Sequence, residues 1–241
     1  MQVSNRRIAL VTGGAKRVGA ELCRRLFRDG FTLAIHYNNS ADAANALCRE
    51  LPGSMAFQAD FMDSDQVNAL VPRVIEHFGR IDLLVNNVSL YEKTPLNHLR
   101  VQDVRRMNAV NLTAPLLLSS AAMQEMAANK EGRIINIGDL LTHTPPKGFS
   151  AYIASRSSIP GMTGALAIEG AGLGVAVNAI ILGTVMLGTH DKGIEDALLA
   201  RVPTHSIPGP SVAADAVAFF AKAPLFITGS VLHVDGGRHL V

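Results

Sequence analysis

Residues 8–19 read I-A-L-V-T-G-G-A-K-R-V-G. The four apolar residues at 8–11 form a continuous run, the pattern of a strand buried on both faces of a parallel sheet. Gly13 and Gly14 follow at once. Glycine lets the main chain turn sharply and lets a bulky anion approach it. From Lys16 onward, Val18, Leu22, Leu26 and Phe27 share one helical face. Strand, glycine turn and helix in that order aim the first helical amides at a phosphate. The spacing is not G-x-G-x-x-G, because Gly14 and Gly19 are separated by one gap of four residues. It is not a Walker loop either, because Lys16 is followed by Arg17 rather than Ser or Thr. Gly13, Arg17, Val18 and Gly19 are assigned to a dinucleotide, with an ordinary tight turn between core elements as the alternative.

The second strand, 31–35, runs into His36, Tyr37, Asn38, Asn39 and Ser40. At this strand end an NAD binder places a carboxylate on the 2′-hydroxyl of the adenosine ribose. Here no carboxylate comes before Asp42, and donors stand in its place: His36, Asn39, Ser40 and, from the turn, Arg17. That set suits a 2′-phosphate, and so NADPH. Ser40 also falls where it would N-cap the next helix, 41–51. Asp60 and Phe61 lie just past a strand at 55–58. Asp60 serves either the adenine amino group or the turn into a helix near 63–78.

A strand at 81–85 is followed by Asn86, Asn87 and Ser89, small polar residues placed to tie this loop to the cofactor. Asn111 interrupts the apolar pattern of an amphipathic helix at 101–126. A buried amide there requires a hydrogen-bond partner, either structural or a relay water. A strand at 133–137 ends in Gly138-Asp139, and a helix at 152–168 contains Pro160, expected to bend it or displace a hydrogen bond. A strand at 175–181 leads into a glycine loop around Gly183 and Gly188, and a mixed stretch at 187–205 is expected to be a mobile loop. A helix at 212–220 and a strand at 229–234 close the chain in Asp235-Gly236-Gly237.

Strand and helix alternate through all 241 residues without linker or repeat, which makes 1–241 a single α/β domain with a doubly wound parallel sheet. A net charge of +2 with no long basic run argues against nucleic acid as a partner. No apolar run reaches the roughly 20 residues of a membrane helix. The N-terminal residues lack the apolar core of a signal peptide, so a cytoplasmic protein is expected. Cys23 and Cys48 fall on helices and read as packing residues, with no metal site expected.

Thr12-Gly13 with Gly19, Asn86-Asn87, Asn111, Asp139, Tyr152, Asn178 with Gly183, and Asp235-Gly236-Gly237 together carry a family resemblance. Along nearly its whole length the chain resembles the short-chain dehydrogenase/reductases. Within them it looks most like the pteridine and dihydromonapterin reductases. Arg17 stands in place of the middle glycine of the usual family turn, the second strand ends His36-Tyr37-x-x-Ser40, Asp139 takes the catalytic serine position, and the chain closes D-G-G-R-H-L. The resemblance implies a Rossmann-type fold and hydride transfer from NADPH to a C=N bond of a small, pterin-like substrate. It makes Tyr152 the proton donor, Asp139 the group that orients Tyr152 or the pterin, and Asn111 the holder of a relay water. Ser89, Asp139, Tyr152, Met186 and Leu187 would meet the substrate, within a loop near 184–208. A homo-tetramer is implied, with helix faces at 101–126 and 152–168 between subunits.

The chain departs from the resemblance at Arg156, which replaces the lysine of Tyr-x-x-x-Lys. The spacing of four keeps both side chains on one helix face. A planar guanidinium cannot be superimposed on an ammonium. Arg156 therefore supports Tyr152, crowds the cofactor ribose, or pairs with Asp139 and quenches both. Leu182 stands where proline usually precedes Gly183. Two other readings stay open: an impaired enzyme that binds pterin or nucleotide in a regulatory role, and a carbonyl reductase acting on another substrate such as a 3-oxoacyl thioester. Asp139 counts against the last, since a carboxylate repels a developing oxyanion unless protonated.

Overall fold

The apolar run forms β1 (Arg7–Val11), and it is buried on both faces: Ile8 and Leu10 enter one core while Ala9 and Val11 enter the other. The computed structural model describes residues 6–187 and 192–241. The part of the glycine loop at Gly188, and with it part of the 184–208 stretch and the extreme N-terminus, lies outside the described residues.

β1 is followed by α1 (Arg17–Arg28), β2 (Phe31–Tyr37), α2 (Ala41–Glu50), β3 (Met55–Gln58), α3 (Ser64–Phe78) and β4 (Leu83–Asn86). The second half adds α4 (Val101–Asn108), α5 (Ala114–Asn129), β5 (Gly132–Asp139), α6 (Ser150–Arg156), α7 (Ser158–Ala171), β6 (Val175–Leu182), α8 (Lys192–Leu199), α9 (Ser211–Lys222) and β7 (Val231–Val234). The described strands form one parallel sheet in the order β3-β2-β1-β4-β5-β6-β7. Buried residues of α1, α2 and α9 fill one face and those of α3, α5 and α7 the other. This is the doubly wound α/β architecture of the Rossmann type. The strand order reverses between β1 and β4, which opens a crevice at the C-terminal ends of the strands.

Register carries distant residues to that edge. Asp139 at the end of β5 pairs with Leu182, and Leu182 pairs with Val234. The segments that leave β5, β6 and β7 therefore emerge side by side.

Three stretches differ from the sequence expectation, each for a local reason. The helix at 101–126 is α4 and α5 joined by a π turn, Ala109–Thr113, in which the Ala114 N–H reaches back five residues to the Ala109 carbonyl. Pro115 follows and has no N–H to donate, so the α register cannot close there. The helix at 152–168 is divided between α6 and α7. Pro160 cannot donate to the carbonyl of Arg156 four residues back. The stretch at 187–205 is not all loop, since it contains α8.

Candidate active site

A cleft of about 1060 Å³ runs along the C-terminal edge of the sheet, from the glycine turn and the end of β2 to Asp139, Tyr152 and Arg238. At the turn, Gly13 has φ +63, a left-handed conformation that favours glycine. A Cβ at Gly19 would lie 2.1 Å from the Gly13 carbonyl, so only glycine lets α1 begin this close to the turn. Thr12 fixes the turn to the next loop, its hydroxyl accepting from the Asn87 N–H (2.9 Å) and the Val88 N–H (3.1 Å). Asn87 answers through its side-chain amide, which donates to the Thr12 carbonyl at 2.8 Å.

The expected ribose-phosphate donors divide into two groups. Arg17 and Asn39 are exposed, Ser40 is half-buried, and none of their side chains has a hydrogen-bond partner among the described residues. Ser40 occupies the N-cap position of α2, yet its hydroxyl makes no capping bond. Asn38 and Tyr37 line the same wall, with Val18 at the turn. His36 is a correction, because it is not a free donor. Its ring is 2% exposed, Nδ1 accepts from the Gly13 N–H at 3.0 Å, and Nε2 lies 3.0 Å from the Ala59 carbonyl. Burial lowers its pKa to about 4, so the ring is neutral, and it stacks on Phe61 with centroids 4.2 Å apart. His36 and Phe61 are thus the support behind the glycine turn. Asp60 lines the cleft but also shapes the turn into α3, accepting from the Met62 N–H at 2.9 Å. Asn86 is a second correction. Its amide faces the interior, donating to Asn136 Oδ1 (2.8 Å) and Ser119 Oγ (2.9 Å), and it does not line the cleft.

At the other end the Tyr152 hydroxyl donates to Asp139 Oδ2, while Asp139 Oδ1 accepts from the Leu141 N–H at 2.8 Å. Burial, and after it the Asp139 charge, push the Tyr152 pKa far above a tyrosine's ordinary range, against the opposing Arg156 charge and the Ser89 hydroxyl. The phenol is held protonated. Arg156 does not pair with Asp139. It is 3% exposed, its Nη2 donates to the Ile137 carbonyl, and its Nε is buried without a partner.

The Asn111 side chain is committed to the protein rather than to a water. Its Oδ1 accepts from the Leu90 N–H (2.8 Å), and its amide donates to the Leu90 carbonyl and to Ser155 Oγ (both 3.0 Å). It joins the loop bearing Ser89 to the helix bearing Tyr152, and so acts as a positioning residue. Gly183 lets the chain after β6 lie against Asp235, where a Cβ would meet Asp235 Cα at 2.7 Å. Met186 lines the cleft and Leu187 does not.

Among the cleft residues that the sequence reading did not assign, two stand next to the polar groups at this end. Tyr91 stacks on Phe149 (4.6 Å) and stands edge-on to Tyr152 (4.8 Å), forming an aromatic wall. Arg238, beyond the closing glycines, lines the cleft at 5% exposure. It belongs to the closing D-G-G-R-H-L that carries part of the family resemblance, but nothing in that motif assigns it to the cleft. Among the described residues no group of His, Cys, Asp and Glu is placed to hold a metal, and no helix is long and apolar enough to cross a membrane.

Comparison with known proteins agrees with this architecture. The family model for short chain dehydrogenases matches residues 7–196. A 3-oxoacyl-[acyl-carrier-protein] reductase of Staphylococcus aureus is 28% identical over 240 residues, covering 96% of this chain and 98% of its own. Its counterpart from Synechocystis is 30% identical over 236 residues, 95% of this chain and 96% of its own. An uncharacterized oxidoreductase of Methylorubrum extorquens is 31% identical over 242 residues, 96% of this chain and 97% of its own. These relatives are named for oxoacyl reduction or for no substrate, and none of the three is named as a pteridine reductase. The chain belongs to the short-chain dehydrogenase family and is an NAD(P)-dependent oxidoreductase of that family.

Proposed function

We propose that this protein is an NADPH-dependent reductase of a C=N bond in a dihydropterin-like heterocycle, with Tyr152 as proton donor. The observation that carries this reading is the Asp139 carboxylate hydrogen-bonded to the Tyr152 hydroxyl inside the cleft. A carboxylate beside the reacting atoms favours positive charge, such as develops on an imine nitrogen as it is protonated. It disfavours the negative charge that grows on a carbonyl oxygen. It also accepts hydrogen bonds, which suits a substrate rich in N–H groups.

NADPH fits the residues present and would supply the hydride. Gly13, Gly19 and the first amides of α1 suit its pyrophosphate, and the unpartnered side chains of Arg17, Asn39 and Ser40 suit its 2′-phosphate. Tyr152 enters the reaction protonated and gives its proton to the substrate nitrogen. Asp139 holds the phenol in place, and Arg156 provides the positive charge that eases loss of that proton. Asn111 keeps the Ser89 loop and α6 in register. Val101, Leu116 and Ile168 are apolar and 60%, 42% and 82% exposed on α4, α5 and α7, which supports a tetramer built through those faces.

Two observations favour other readings. The relatives named above favour reduction of a 3-oxoacyl thioester, which requires Asp139 to be protonated. The buried, partnerless Nε of Arg156 favours an impaired enzyme. NADPH oxidation with a panel of 7,8-dihydropterins and with acetoacetyl thioester, run on wild type and Arg156→Lys, separates them. Dihydropterin turnover by wild type is expected. The lysine variant is expected to be faster by about tenfold, the equivalent of ~1.4 kcal/mol in the barrier. Thioester turnover alone gives the function to the second reading, and a silent wild type with an active lysine variant gives it to the third.

A further inference from the structure

Arg238 is a cation on the cleft wall that the protein leaves without a partner. The residue as a whole is 5% exposed, and its guanidinium, which opens on the cleft, makes no hydrogen bond or ion pair among the described residues. A charge largely withdrawn from water gains from a partner that hydrogen-bonds it. The nearest charges explain why none of them serves. Asp235 is already occupied, with Oδ1 accepting from the Gly237 N–H (3.0 Å) and Oδ2 from the His239 N–H (2.9 Å) and lying 2.8 Å from His239 Nδ1. Asp139 is bonded to Tyr152 and Leu141. Arg201 adds a like charge and, after burial itself, helps to hold the Arg238 pKa below the ordinary arginine range.

The closing turn is built to put Arg238 where it is. Gly236 and Gly237 both have positive φ, +65 and +84, and a Cβ at Gly236 would lie 2.4 Å from Thr204 Oγ1. Asp235 caps the turn that follows, a short 3-10 turn over Arg238–Leu240. This device turns Arg238 back into the cleft, to the end that holds Asp139, Tyr152 and Met186.

We propose that Arg238 is a substrate-binding residue that receives a planar pair of acceptor atoms on the substrate while Asp139 receives its N–H donors. A guanidinium presents parallel N–H groups that match two adjacent acceptors. Such a pair is found in a carboxylate, or in a ring carbonyl beside a ring nitrogen, the pattern arginine reads on guanine. A heterocycle with N–H groups on one edge and a carbonyl and ring nitrogen on the next satisfies both side chains at once. This rests on the reading of the cleft as a reductase site.

The test uses pterin (2-amino-4-oxopteridine) and benzoate as probes, titrated into wild type, Arg238→Met and Arg238→Lys with and without NADP+. Binding of at least one probe to wild type is expected, weakened at least about tenfold in Arg238→Met and restored only in part by lysine, which keeps the charge but not the fork. Loss of pterin binding identifies the ring edge, and loss of benzoate binding identifies a carboxylate. NADPH affinity, read by fluorescence, is expected to be unchanged. The proposal is overturned if neither probe binds wild type, if the probes bind Arg238→Met as well, or if NADPH affinity falls while probe affinity stays. Turnover is scored separately. A dihydropterin reduced equally well by wild type and Arg238→Met leaves the reductase reading standing and removes this one. Absence of turnover in wild type removes that reading while the probe titrations still decide the role of Arg238. Should the methionine variant fold poorly by thermal melting, the lysine variant alone is decisive through the same probes.

Discussion

At the adenosine end of the cleft the supporting contacts join neighbouring β–α junctions, as in the bond from the Gly13 N–H to His36, 23 residues on. At the reacting end Ser89, Asp139, Tyr152, Arg156 and Arg238 come from segments spread over most of the chain, and sheet register brings them together. The first end leaves its polar groups free toward solvent, with Arg17 and Asn39 exposed. The second encloses its arginines, with the Arg156 and Arg238 residues at 3% and 5% exposure, and keeps Asp139 half-buried. Exposed donors change an affinity when removed. Buried charges beside a reacting atom change a rate, because the low local dielectric strengthens every interaction there.

The sharpest way to break this contrast is Tyr152→Phe. The phenol is the one group at the reacting end held protonated and hydrogen-bonded to a second side chain in the cleft. Turnover is expected to fall by on the order of 10²–10⁴-fold, the usual worth of a positioned acid or base. NADPH affinity, measured by titration, is expected to hold. A variant that keeps most of its rate would mean that the proton comes from elsewhere and that the two ends do not divide binding from chemistry.

The same contrast explains how far the sequence could be read. The β1 run, the glycine turn and the alternation of strand and helix are set by local pattern, and the structure follows them to within a residue or two. Residue type could not tell which donors at the end of β2 face outward. His36 looks like a phosphate ligand, but β2 extends to Tyr37 and carries the ring into the interior against Phe61. Asn86 fails in the same way, because a side chain at a strand end points to one face or the other according to the pleat. Asp139 and Tyr152 were visible through the family pattern. The cleft positions of Arg238, present in the closing motif, and of Tyr91 were not, since they depend on a terminal turn and on an aromatic stack between loops.

A pH titration of stability sharpens the adenosine side. His36 has a folded pKa of about 4 against an ordinary value of 6.5. Above about pH 6.5 the ring is neutral in the folded and unfolded chains alike, and its full contribution to stability is present. As pH falls from 6.5 toward 4 the unfolded chain takes up a proton that the folded chain refuses, so stability is lost through that window. Denaturant unfolding at about pH 7 and about pH 4.5 is expected to differ by roughly 2–3 kcal/mol from this group. His36→Gln is expected to flatten the slope. An unchanged slope would show that another buried group governs the acid limb. Protonation at Nδ1 also ends its role as acceptor for the Gly13 N–H, so NADPH affinity is expected to hold through that window and to weaken only as pH falls to about 4.

The smallest expected effect belongs to Arg17, and it tests whether the exposed donors select the cofactor. Arg17 sits at the first position of α1 with φ +52, a conformation that favours glycine, and its guanidinium has no partner among the described residues. A non-glycine residue held at positive φ costs on the order of 1 kcal/mol or more, and Arg17 returns nothing to the fold through its head group. That cost is offset if the guanidinium meets the 2′-phosphate. Arg17→Ala keeps a Cβ and the same backbone demand, so stability is expected to move little. The preference for NADPH over NADH, taken as the ratio of Kd values from fluorescence titration, is expected to shrink by about tenfold, in line with the ~1.5–3 kcal/mol of a charge-assisted hydrogen bond discounted for exposure. The shrinkage should lie in the NADPH constant alone and should weaken as salt is raised. A ratio that does not change assigns the selection to Asn39 and Ser40, whose neutral side chains would leave it insensitive to salt.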